Sequence, residues 1–117
     1  MRIGIDAKWY FSGPPSGVNV VRNIVNELIK TNDADEIIFF LSNRDIHLKE
    51  HFVNKIKNKH NLSFIFIPGK VNIFTNLILF PLYFYNKRLD VILFQNYIPV
   101  WGRFRTEYYV FIHDFLF

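Results

Sequence analysis

Residues 2–30 constrain the fold more than any other stretch. A short apolar run, Arg2-Ile3-Gly4-Ile5-Asp6, leads through a loop ending Gly13-Pro14-Pro15-Ser16-Gly17 into an amphipathic segment over residues 18–30. In that segment Val18, Val21, Ile24, Val25, Leu28 and Ile29 share one stripe, while Asn19, Arg22, Asn23, Asn26, Glu27 and Lys30 take the other side. Such spacing predicts a helix, with Ser16 as its N-cap. A strand that feeds a glycine-bearing loop opening a helix is how α/β folds build sites for phosphates or sugars. The helix start presents unpaired N–H groups and the positive end of the helix dipole.

The rest of the chain continues the alternation. Residues 36–41 (Glu-Ile-Ile-Phe-Phe-Leu) form an unbroken apolar run and read as a strand buried on both faces. Ser42-Asn43-Arg44-Asp45 reads as a loop, and Leu48, Phe52 and Ile56 then recur every four residues among lysines as a shorter helix. Residues 62–67 give a third strand, stopped by Pro68-Gly69. Residues 72–86 are apolar nearly all round, so a helix there is either buried or docked on a surface, kinked or split at Pro81. Residues 90–94 and 107–112 are two further strands, joined by an aromatic loop over residues 96–105. The order β-α-β-α-β-α-β-β predicts a mostly parallel sheet wrapped by helices.

Composition narrows the classes. A chain of 117 residues fits one domain with a core of its own. Half of it is hydrophobic and 19% aromatic, with 14 phenylalanines, as expected of doubly buried strands or of apolar surface meant for a partner. The absence of cysteine removes disulfides, thiolate metal sites and cysteine nucleophiles, and suits a reducing compartment. A net charge of +4 admits nucleic acid, anionic lipid or phosphorylated small molecules as partners. Nucleic-acid binding would want the cations interleaved with exposed aromatics, whereas here the aromatics fall in strand-like runs. The lysines of residues 49–59 and the pair Lys87-Arg88 therefore read as a solvated face first and an anionic-lipid contact second. Asp6 and Lys8 interrupt any signal-peptide core, and the apolar stretch 73–85 falls short of a bilayer span. The expected location is cytoplasmic, with peripheral contact to the inner face of the membrane as an option.

Several of these residues resemble a known family. Met1 to Lys8 (Met-Arg-Ile-Gly-Ile-Asp-Ala-Lys), the Gly13…Ser16-Gly17 loop, the helix Val20-Val21-Arg22-Asn23-Ile24…Leu28 and the late Phe111-Ile112-His113-Asp114 together resemble the N-terminal domain of glycosyltransferase family 4. The resemblance implies a retaining enzyme of GT-B fold, with two Rossmann-like domains facing across a cleft. The N-terminal domain would take the acceptor and the other would hold the nucleotide-sugar donor. It also implies that the loop matched by residues 13–17 approaches the donor phosphates or the reacting sugar, and that His113 sits beside the transferred sugar. Pro14-Pro15 separates glycines that many members place side by side, which stiffens the loop. The family's donor domain carries two glutamates separated by seven residues, and Glu27, Glu36, Glu50 and Glu107 include no such pair. With an apolar ending just past a strand, the chain is expected to be a truncated, incomplete N-terminal domain over residues 1–117, inactive alone. The donor half would be supplied in cis or by a second chain.

The candidate site residues each carry a plainer alternative. Residues 13–17 (Gly13, Ser16 and Gly17 among them) are a sugar- or anion-facing loop or an ordinary turn; the position after the first strand favours the former. His113, the candidate catalytic residue, can donate a hydrogen bond to a sugar hydroxyl or stabilise charge, or be a capped core histidine. Asp114 is a substrate contact or, preferably, the cap of a following helix. Asp6 touches an acceptor hydroxyl or, better, orients the loop through backbone N–H groups. His47-Leu48-Lys49-Glu50-His51 matches an inverted zinc-peptidase pattern, but Leu48 and Phe52 would occupy the buried face, so a solvated helix is the preferred reading. Residues 73–85, with Trp9, Tyr10 and Phe11, are either core or a membrane-docking surface. The resulting expectation is a transferase moving a sugar from a nucleotide diphosphate to a glycan or lipid-linked glycan in surface polysaccharide synthesis. It would use no metal and no cofactor beyond the nucleotide-sugar co-substrate, and it would not bind nucleic acid. The alternative is a non-catalytic α/β module that docks a partner chain or a membrane.

Overall fold

The computed structural model describes residues 1–11, 13, 15–31, 35–56, 59–67, 80–84, 87–95, 99 and 106–111. Five strands, β1 (Arg2–Asp6), β2 (Glu36–Ser42), β3 (Leu62–Ile67), β4 (Val91–Gln95) and β5 (Glu107–Phe111), form one sheet in the order β3-β2-β1-β4-β5. Every pairing is parallel, with Ile5 opposite Phe39 and Leu93. This is a Rossmann-like α/β arrangement. The helices are α1 (Pro15–Thr31), α2 (Lys49–Ile56), which follows a 3₁₀ turn over Asn43–Leu48, and the short α3 (Phe80–Phe84).

Parallel strands need crossovers, and crossovers on both faces bury the sheet twice. The core accordingly divides in two. On one face Ile5, Ile37, Phe39 and Leu41 pack with Val21 and Val25 of α1 and Phe52 and Ile56 of α2. On the other, Ile38, Phe40, Ile92 and Phe94 pack with Phe80 and Phe84 of α3, joined by Leu89 and Tyr108. Alternate residues of β2 thus serve opposite cores, which is why its sequence is apolar without a break. Rings meet edge-on in both clusters: Phe52 with Phe39 at 5.5 Å between centroids, and Phe94 with Tyr108 at 5.0 Å. Such pairs add to what burial alone contributes.

Local boundaries differ from the sequence expectation in instructive ways. α1 begins at Pro15, so Ser16 lies in its first turn rather than at the N-cap. Proline's fixed φ suits that turn, and its missing N–H would have had no partner there. The segment expected to be a loop after β2 is the 3₁₀ turn, with the Ser42 hydroxyl accepting from the Arg44 N–H at 3.3 Å. Pro81 falls in the first turn of α3, where no intrahelical bond is lost. Phe80 and Phe84 of α3 are buried and Leu82 is exposed, while residues 68–79 lie outside the described residues. Tyr10, one of the aromatics offered for membrane docking, is instead core: it is 2% exposed and packs against Phe52.

Candidate functional site at the carboxyl edge of the sheet

The chain builds β1, β2 and β3 outward in one direction, then returns to lay β4 against the other side of β1. In open parallel sheets this reversal opens a crevice beyond the carboxyl ends of the two diverging strands, and ligands gather there. Here those ends are Asp6 with its following loop, and Gln95.

Gly4, Asp6 and Lys8 share a parity and face the core that holds α3. A Cβ on Gly4 would lie 2.7 Å from Leu89 and 3.1 Å from Phe40. Asp6 Oδ1 accepts the Lys8 backbone N–H at 3.2 Å and pairs with Lys8 Nζ at 3.0 Å. Both side chains are 3% exposed. The Lys8 ammonium also lies 3.7 Å from the centroid of the Phe80 ring. Burial pushes the Lys8 amine below its ordinary value, opposed by the charge and the hydrogen bond of Asp6. Gln95 Nε2 donates to the Asp6 carbonyl at 3.2 Å, tying the ends of β1 and β4 together. A buried ion pair tied to the ends of both strands therefore sits at this edge.

Above it, the loop turns back on itself. The Tyr10 N–H donates to the Ala7 carbonyl at 2.9 Å, and the Ala7 N–H donates to the Phe40 carbonyl at 2.8 Å. Trp9 then lies against both glycines of the sequence motif. A Cβ on Gly17 would sit 2.5 Å from Trp9 Cε3, and one on Gly13 2.7 Å from Trp9 Cδ1. These two glycines are required by the indole that packs on them. Gly17→Ala is expected to displace the Trp9 ring and cost about 1–3 kcal/mol, as overpacking typically does. Urea unfolding, followed by Trp9 fluorescence in a Trp101→Phe background, checks it.

Of the residues singled out in the sequence, the structure brings Asp6, Gly13 and Gly17 to this edge, with Ser16 exposed in the first turn of α1. Asp6 is fully engaged by Lys8 and by the loop backbone. β5 ends at Phe111 on the same edge, opposite Gln95. His113 and Asp114 follow it and lie outside the described residues. His47 and His51 are exposed, on the 3₁₀ turn and α2 respectively, and no group of three or more metal-ligating side chains occurs among the described residues. No helix of the described residues is long and apolar enough to cross a membrane.

No family model, curated protein or solved structure matches this chain. Its site is therefore read from its own residues. Sequence reasoning assigned no site role to Lys8 or Gln95, and offered Trp9 only as core or membrane-docking surface rather than as the ring that packs on the two glycines. For Lys8 a signal was present, since a cation two residues past the end of a buried strand shares a face with the strand's last residue. For Gln95 the signal was weaker: one polar residue closing an apolar run.

Proposed function

We propose that the chain is the acceptor-side part of a retaining glycosyltransferase that moves a sugar from a nucleotide diphosphate to a glycan or lipid-linked glycan. The observation that carries this reading is the strand order. It puts the loop after β1 and the carboxyl ends of β4 and β5 on one edge, and β1 with the glycines that follow it carries part of the resemblance to glycosyltransferase family 4. In this reading residues 13–17 and His113 line the acceptor side. Asp6 acts through Lys8 and the loop rather than by touching the acceptor. A second Rossmann-like half, in cis or on another chain, holds the donor, whose diphosphate leaves as the new glycosidic bond forms. Helix dipoles and basic side chains neutralise that leaving group without a metal. The donor is cytoplasmic, and a lipid-linked acceptor would bring the protein to the inner face of the membrane.

The test begins with the gene beyond codon 117. A continuous or neighbouring frame encoding a second Rossmann-like half, with glutamates separated by seven residues, is expected. Co-expressed, the two halves should release nucleoside diphosphate from a nucleotide sugar in the presence of acceptor. His113→Ala should then lower kcat by about 100-fold, the scale of losing one positioned donor or acid–base group. A stop at codon 117 with no donor half nearby would leave the module that docks a partner or a membrane as the better reading.

A further inference from the structure

On the helical layer that holds α1 and α2 lies an open groove of about 440 Å³, lined by Tyr10, Phe11, Arg22, Asn26, Leu48, His51 and Lys55. It uses none of the carboxyl-edge residues Asp6, Lys8, Gly13, Gly17 or Gln95. Its volume falls in the range of small-molecule sites. We infer that this groove is a second binding site, for a small phosphate monoester whose organic part packs on Phe11 and Leu48.

Charge is the first argument. Three basic side chains, Arg22, His51 and Lys55, converge on the groove, and no carboxylate lines it among the described residues. His51 and Lys55 are four apart on one face of α2, so one ligand can reach both. Preorganisation is the second. Arg22 Nε donates to the Tyr10 carbonyl at 2.6 Å, and the guanidinium lies 5.7 Å from the Tyr10 ring centroid. That bond uses Nε alone and leaves the terminal nitrogens of a fork suited to two phosphate oxygens. Tyr10 itself is fixed, since its hydroxyl donates to Asn26 Oδ1 at 2.9 Å and its ring is buried against Phe52. An arginine held in place this way loses little freedom on binding, which favours affinity.

The apolar share of the lining decides the ligand class. Phe11 is half-buried and meets His51 edge-on at 5.9 Å, and the half-buried Leu48 lines the same groove. Free phosphate would leave this surface uncovered, whereas a monoester with a ring-sized organic group would cover it. A lipid headgroup presents the same chemistry, so the source of the phosphate has to be distinguished by experiment.

The probes are phenyl phosphate, inorganic phosphate and benzyl alcohol, titrated into the chain at constant ionic strength while the Arg22 Nε–H and His51 ring resonances are followed. Phenyl phosphate should saturate and bind at least ~10-fold tighter than inorganic phosphate, and benzyl alcohol should not compete, if charge and apolar contact act together. Lys55→Gln, at an exposed position, should weaken phenyl phosphate by ~5–10-fold with an unchanged unfolding midpoint, the scale of one solvent-exposed hydrogen bond. Arg22→Gln should weaken it further. Sedimentation with vesicles of phosphatidylglycerol, against phosphatidylcholine alone, separates the sources. Retention that phenyl phosphate displaces and Lys55→Gln weakens assigns the site to a lipid headgroup; phenyl phosphate binding without retention assigns it to a soluble ester. Non-saturating shifts, or equal binding by wild type and Lys55→Gln, would overturn the inference.

Discussion

Asp6→Ala is expected to destabilise the fold by about 3–5 kcal/mol, because it strands the Lys8 ammonium in a buried site. Lys8→Met should cost a comparable amount by leaving the Asp6 carboxylate buried without its ammonium. The double variant Asp6→Asn/Lys8→Met is the informative one. Asparagine keeps an oxygen for the residue 8 N–H, methionine keeps the packing on Phe80, and no charge is left buried. It should recover most of the loss, and a double variant as unstable as the sum of the singles would mean that the charges themselves are not what couples these residues. Urea unfolding of the four proteins measures it.

The same pair sets a pH dependence. Burial holds the Lys8 amine below its unfolded value of 10.5, so between its folded value and 10.5 the unfolded chain binds more protons than the folded one. Stability from this group therefore rises with pH across that window and is complete above it. Lys8→Met removes the contribution. The stability difference between wild type and Lys8→Met should climb as pH approaches 10.5, and a flat or falling difference would place the folded amine at or above its ordinary value.

Phe52→Ala should cost about 3–5 kcal/mol and loosen more than its own surroundings. The ring is fully buried and meets Tyr10 at 5.3 Å, Phe39 at 5.5 Å, Phe64 at 5.6 Å and Phe11 at 6.4 Å. It therefore joins α2 to β2, β3 and the loop after β1. Since Tyr10 accepts the Arg22 Nε–H through its carbonyl, the cavity should also release that guanidinium. The measurable signs are a lowered unfolding midpoint together with increased solvent exchange of the Arg22 Nε–H. Unchanged exchange in a destabilised variant would show that the groove is held independently of this core.

Sequence and structure divided the problem along a physical line. Periodicity determined the elements: the amphipathic stripe of α1, the unbroken run of β2 and the alternation along the chain were enough to predict a parallel sheet covered on both faces. These signals are legible because burial acts on each element through its own spacing. Boundaries fared less well where local chemistry competes with periodicity, as at Pro15, whose fixed φ starts α1 before Ser16, and at the 3₁₀ turn after Ser42. At the site, the glycines and Asp6 were visible as types, but not their reasons. Gly17 is small because Trp9 packs on it, and Asp6 is buried because Lys8 folds back over Phe80. The convergence of Arg22 with Lys55, thirty-three positions apart in sequence, likewise depends on α1 and α2 lying on the same sheet face. Short-range spacing is written in the sequence itself. Contacts between distant segments exist only once the sheet has chosen which strand lies beside β1.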